Sequence, residues 1–113
     1  MRELADRFYD HMDRDPRFAV IRELHPADLA ESREKFFEFL SGWLGGPPLY
    51  MSRRGHPRLR MRHAPFPIGE RERDQWLACM GEAMDEMGID GEIRTFLDAR
   101  FAHVADFMRN RPG

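Results

Sequence analysis

The chain holds one cysteine, Cys79, in 113 residues, so no internal disulfide can hold its fold. It lacks any apolar run near the roughly 18 residues that a membrane-spanning helix needs. Its first residues, Met1-Arg2-Glu3-Leu4-Ala5-Asp6, have none of the apolar stretch of a secretory signal. A dominant charge is missing as well. Eighteen basic residues face twenty acidic ones, and the net −2 gives no reason to expect nucleic acid or a membrane surface as a partner. Period-two alternation, internal repeats and low-complexity tracts are nearly or wholly absent. These absences point to a cytoplasmic, all-α chain folding as one domain over residues 1–113. The hydrophobic share of 42% argues against disorder.

What is present is helical spacing. Leu4, Phe8 and Met12 recur every four residues and predict a helix over about 2–14. A second helix is expected from Asp28 to Leu44. Asp28 and Glu31 resemble a capping box at its start, and Leu29, Phe36, Leu40 and Trp43 form its apolar stripe. Gly45-Gly46-Pro47-Pro48 stops it. A third runs from about Glu70 to Met87, carrying Trp76, Leu77, Met80, Met84 and Met87. A fourth is expected over 90–110, with Ile93, Leu97, Phe101, Val104 and Met108 on its buried side. Between them, residues 45–68 hold five of the eight prolines and predict only a short turn around Leu59–His63. Long irregular stretches in small domains are usually functional or disordered. The apolar residues within this one favour packing against something.

Of five histidines, no pair stands at zinc-ligand spacing, and no Cys-x-x-Cys exists. Heme needs only one protein ligand in an apolar slot. His63 suits that role by context: Pro65 and Pro67 fix the chain's exit, and Met61, Phe66 and Ile68 offer apolar contact. A surface or capping histidine is the plainer alternative. The absence of Cys-x-x-Cys-His excludes c-type covalent attachment. Tyr9 and Trp76 each combine an apolar body with one donor; they read either as core aromatics or as donors to a partly anionic ligand. The Met80, Met84, Met87 series reads as core filler and Cys79 as a buried small hydrophobe. Arg53, Arg54, Arg58, Arg60 and Arg62 read as solvated surface or as partners for two propionates.

The segment Gly55-His56-Pro57-Arg58-Leu59-Arg60-Met61-Arg62-His63-Ala64-Pro65-Phe66 resembles the proximal segment of group II truncated hemoglobins. Phe8-Tyr9, Leu44-Gly45-Gly46-Pro47 and Arg73-Asp74-Gln75-Trp76-Leu77-Ala78-Cys79-Met80 agree in order and approximate spacing, so that the resemblance spans about residues 5–110. It implies an all-α truncated globin with two-over-two helical packing around non-covalent heme b, in which loop replaces most of the usual proximal helix. It implies His63 as iron ligand and Tyr9, Trp76 and His25 as the polar groups on the ligand side. Ser32 takes the place where many globins have a distal histidine. The heme contacts it implies are Phe36, Phe39 and Leu40 on the second helix, Arg60, Met61, Arg62, Phe66 and Ile68 around the ligand, and Met80. The chain departs from the family in lacking most of the short first helix, and a monomer or a homodimer is expected.

The function expected on this reading is binding of dioxygen or another diatomic, with high affinity and slow release. Two alternatives stand beside it. One is nitric oxide dioxygenation or peroxidase-like turnover fed by a reductase. The other is a heme-free helical interaction module.

Overall fold

The computed structural model describes residues 2–56, 58, 63 and 66–110. Helix α1 (Arg2–Arg14) buries Leu4, Ala5, Phe8, Tyr9 and Met12 on one side, as its four-residue spacing dictates. Asp15 ends it and starts a 3-10 turn (Pro16–Phe18): its Oδ1 accepts the Arg17 N–H at 2.9 Å, and Pro16 occupies a position that has no donor to lose. Helix α2 (Ala19–Glu23) continues directly. Helix α3 is Ala30–Trp43, α4 is Leu49–Arg54, α5 is Glu70–Glu86 and α6 is Gly91–Phe107. No strand occurs among the described residues.

Helix α1 lies against both α3 and α5, α5 lies against α6, and α4 packs on α3. One apolar cluster joins them, with Phe8, Met12, Phe18, Leu40, Met80, Met84 and Phe101 fully or almost fully buried. The chain leaves α3 through Gly45, whose φ of +91° lies in the left-handed region that glycine adopts without a steric cost. The Gly46 N–H then returns to the Ser41 carbonyl at 2.7 Å, and the Ser41 hydroxyl donates to the Pro47 carbonyl at 2.7 Å.

Several elements differ from the sequence expectation. The Asp28 carboxylate does accept the Ala30 N–H at 2.9 Å, but Glu31 pairs with Lys35 one turn on instead of closing a capping box. The reaching-back carboxylate is at α5, where Glu72 accepts the Gly69 N–H at 2.8 Å. Residues 16–23, for which no helix is expected, form the 3-10 turn and α2. Residues 49–54, expected to be irregular, form α4. That helix buries only Tyr50, so it carries no periodicity to read; its last two residues are held from outside, by ion pairs to Glu38. Ile93 is 68% exposed, not buried: its spacing places it on the Leu97 face, but spacing does not say how far the covering helix reaches. The expected turn at Leu59–His63 lies, apart from His63, outside the described residues.

Candidate functional site

The segment after α4 is tied to the far end of the molecule by one side chain. Asn110, just beyond α6, donates from Nδ2 to the carbonyls of His63 (3.1 Å) and Phe66 (2.9 Å). Its Oδ1 accepts the Ile68 N–H at 2.9 Å, and its own N–H donates to the Ile68 carbonyl at 2.8 Å. The His63 carbonyl also accepts the Phe66 N–H at 3.0 Å. Backbone groups of His63, Phe66 and Ile68 that belong to no helix ladder are thereby given partners.

His63 lines a cavity of about 490 Å³ to which all six helices, α1 to α6, contribute wall residues. That volume lies within the range of small-molecule and cofactor sites. Its wall is largely aromatic and aliphatic, with Tyr9, Phe36, Phe39, Phe66, Ile68 and Trp76 on it. The rings of Tyr9, Phe36 and Trp76 brace one another through Phe8 at centroid distances of 5.0–6.1 Å, and Phe101 joins Trp76 to Trp43 behind them. A broader hollow over the α5–α6 turn is open to solvent. Its Arg94 guanidinium is already engaged with Asp85 and Asp98, so it presents no comparable chemistry.

Two donors in the cavity are unused. Neither the Tyr9 hydroxyl nor the Trp76 indole N–H makes a hydrogen bond to any described residue, although Tyr9 is buried and Trp76 partly so. Buried polar groups are normally paired, and an unpaired donor facing a cavity marks a place for an acceptor. Burial pushes the Tyr9 pKa above its ordinary value, which keeps the phenol protonated and a donor throughout the physiological range. His25 lines the same cavity, edge-on to Tyr9 at 5.7 Å. Burial lowers its pKa and keeps the ring neutral, only partly opposed by its bond to the Ile21 carbonyl.

The remaining expected contacts fall elsewhere or outside view. Leu40 and Met80 are fully buried in the packed core and are not on the cavity wall. Arg60, Met61 and Arg62 lie outside the described residues. Arg53 and Arg54, read as solvated or propionate-binding, instead clasp the buried Glu38, at 3.1 and 2.6 Å. Ser32 lies on the wall, together with Lys35 and Arg73 as its described cations. Ile21, Leu24 and Tyr50 on this wall were not anticipated. Phe18, Ile21 and Leu24 at intervals of three were a readable signal for the first two. Lys35 follows from its place beside Phe36 on the Ser32–Phe39 face. No signal marked Tyr50.

Among the described residues no cluster of histidine, cysteine or carboxylate side chains could hold a bare metal ion, and no helix is long and apolar enough to cross a membrane. Cys79 is buried, donates from Sγ to the Phe8 carbonyl at 3.1 Å, and has its thiol pushed up to about 12 by burial.

The family model for bacterial-like globins matches residues 1–110. The chain is 45% identical over 109 residues to the group 2 truncated hemoglobin YjbI of Bacillus subtilis, covering 96% of this chain and 80% of that protein. Its fold is similar to the cold-adapted truncated hemoglobin of Pseudoalteromonas haloplanktis, with a TM-score of 0.93, 43% identity, and coverage of 97% of this chain and 89% of the other. It is also similar to the truncated oxygen-avid haemoglobin of Bacillus subtilis, with a TM-score of 0.89, 45% identity, and coverage of 96% and 90%. Two-on-two helical packing, an aromatic-walled cavity of about 490 Å³ with a histidine on its wall and this breadth of likeness agree: the chain belongs to the bacterial-like globin family, as a group II truncated hemoglobin.

Proposed function

We propose that residues 1–113 work as one globin domain that holds heme b non-covalently and binds dioxygen, or another diatomic ligand, at an iron ligated by His63. The observation that carries this reading is the pair of unused donors, Tyr9 O–H and Trp76 N–H, in the same cavity as His63. The residues fit the group: an imidazole for the iron and aromatic walls for a flat macrocycle, while Lys35, paired with Glu31, and Arg73, paired with Asp74 and Asp106, are the wall cations that its carboxylates would have to draw from those pairs. The position of Cys79, held in the core against the Phe8 carbonyl and not on the cavity wall, supports non-covalent binding.

When bound, heme supplies a ferrous iron with one coordination position left for the ligand. The chain's own contribution is to place donors where charge develops. A diatomic that gains negative character accepts from Tyr9 and Trp76, and its departure strands both donors in a buried site at a cost of about 1–3 kcal/mol each. High affinity and slow release follow, in keeping with the oxygen-avid relative. The test is the absorption spectrum of the ferrous and ferrous–carbonmonoxy protein beside His63→Gly. The variant should lose histidine ligation and regain it with added imidazole, while its far-UV circular dichroism stays helical. An unchanged ferrous spectrum in the variant removes His63 from the iron.

A further inference from the structure

Helix α6 is buried on one side only, through Leu97, Phe101, Val104 and Ala105. Away from that side Glu92, Phe96 and Arg100 follow one another at four-residue intervals and so form one row on the helix surface, with Ile93 beside it. Ile93 is 68% exposed and Phe96 56%. Single exposed apolar side chains are ordinary, but two large ones side by side and rimmed by charge have the pattern of a contact surface. The charges of the row are also unspent. Arg94 pairs with Asp85 and Asp98, and Arg109 with Asp106 and Glu70. Glu92 and Arg100, by contrast, have no ion-pair partner among the described residues. The Arg100 guanidinium is nonetheless held in place: it lies over the Trp43 ring at 4.7 Å and the Phe96 ring at 5.6 Å, and donates to the Trp43 carbonyl at 3.3 Å.

The order of the three residues makes this face complementary to itself. Phe96 stands in the middle, with an acid four residues before it and a base four residues after, each roughly 6 Å away along the axis. A second α6 laid antiparallel presents the same row in reverse. With Phe96 against Phe96, each Glu92 then meets Arg100 of the second copy, and the two ion pairs form together. Rows at four-residue spacing are also the ridges that interdigitate in the commonest class of helix packing. A face that is its own partner is what a two-fold dimer requires, whereas an unrelated protein would need no such symmetry. We propose that this face of α6 binds a second copy of the chain, antiparallel about a two-fold axis at Phe96, with Phe96 and Ile93 at the centre and Glu92–Arg100 pairs on both flanks. One helix laid on another buries less than the roughly 1,200–2,000 Å² of stable interfaces, so the dimer is weak and concentration-dependent. It does not depend on the heme reading.

Sedimentation equilibrium of the purified chain, at concentrations up to about 1 mM, should show monomer and dimer in a concentration-dependent balance. Phe96→Glu changes an exposed position, sets two carboxylates against each other on the axis, and should leave monomer only. Glu92→Arg and Arg100→Glu each bring like charges together on both flanks, and each alone should weaken the dimer at least about tenfold. Mixed in equal amounts, these two variants again place opposite charges together on both flanks. A mixed dimer should then form within about threefold of the wild-type affinity, because the lost and regained terms belong to the same pairs. Far-UV circular dichroism of each variant checks that the helices persist. A wild-type chain that stays monomeric, a dimer indifferent to Phe96→Glu or to either charge reversal, or reversed variants that stay apart when mixed would each overturn the proposal.

Discussion

Tyr9 and Trp76 show how one residue type serves two ends. Most of each ring is packed, in edge-on contacts through Phe8 and Phe36, and this packing fixes where the single polar atom points. A donor held by its own ring costs little further entropy when a ligand arrives. Trp76→Phe keeps most of the packing and removes one donor, so dioxygen release should accelerate about tenfold, the equivalent of one hydrogen bond to a partly charged acceptor. Stopped-flow mixing with carbon monoxide measures it, and an unchanged rate takes Trp76 out of ligand retention. Tyr9→Phe should act in the same direction. The two substitutions together should fall short of the product of their separate effects, because one ligand shares both donors.

At the scale of elements, two polar devices hold what helical packing does not. The first is Glu38, 2% exposed on α3, which takes the guanidinium of Arg54 at 2.6 Å and that of Arg53 at 3.1 Å and so docks α4. Its bond to Arg54 is the main reason its carboxyl titrates below the ordinary value of 4.5. A depressed carboxylate stabilises the fold above its unfolded pKa, and the contribution disappears as pH falls through the lower folded one. Glu38→Gln should therefore cost about 2 kcal/mol at pH 7, less than a wholly buried pair because both arginines retain solvent contact. It should also flatten the stability–pH curve below about pH 4.5. Urea unfolding at pH 7 and pH 3.5 checks both, and a constant deficit at the two values contradicts the assignment.

The second device is Asn110, whose side chain and backbone hold His63, Phe66 and Ile68 from the end of α6. Asn110→Ala frees the carbonyls of His63 and Phe66, so His63 becomes less well oriented toward a bound iron. Heme transfer to apomyoglobin should speed up severalfold, and the iron–histidine stretching band in the Raman spectrum should broaden or shift. Asn110→Asp should be no better than alanine, since a carboxylate would face two carbonyl oxygens. An unaltered band in both variants limits Asn110 to capping α6.

For the whole molecule, the cavity is as much a part of the fold as of the site. A chain of 113 residues has a thin core. Here part of the interior is a void of about 490 Å³ lined by side chains from all six helices. A ligand bound only by the folded state stabilises it by mass action, about 4 kcal/mol at a thousandfold excess over the dissociation constant. Heme extraction should thus lower the thermal midpoint by 10 °C or more and raise amide exchange first in α2 and α4, the shortest helices on the cavity wall. Calorimetry of the heme-bound and heme-free forms measures the first effect. Equal midpoints mean that heme contributes nothing to the fold.

The long helices were legible because each presents an unbroken apolar face: Leu4–Phe8–Met12 on α1, Trp76–Met80–Met84 on α5, Leu97–Phe101–Val104 on α6. His63, Tyr9 and Trp76 were nameable from motif and spacing. The short elements were not, since α4 and its docking depend on Glu38, which spacing alone reads as one more surface carboxylate. Likewise, Leu40 and Phe36 share one stripe, and only the packing of α1 and α5 sorts cavity wall from solid core. The sequence by itself determined the all-α class, the globin resemblance and the chemical types available near His63, because periodicity and residue identity are local. The tertiary structure decided which donors stay unpaired, which arginines are already spent on Glu38, and which backbone carbonyl holds the His25 ring. Each of those depends on a partner's position in space, such as the Ile21 carbonyl that takes the His25 hydrogen.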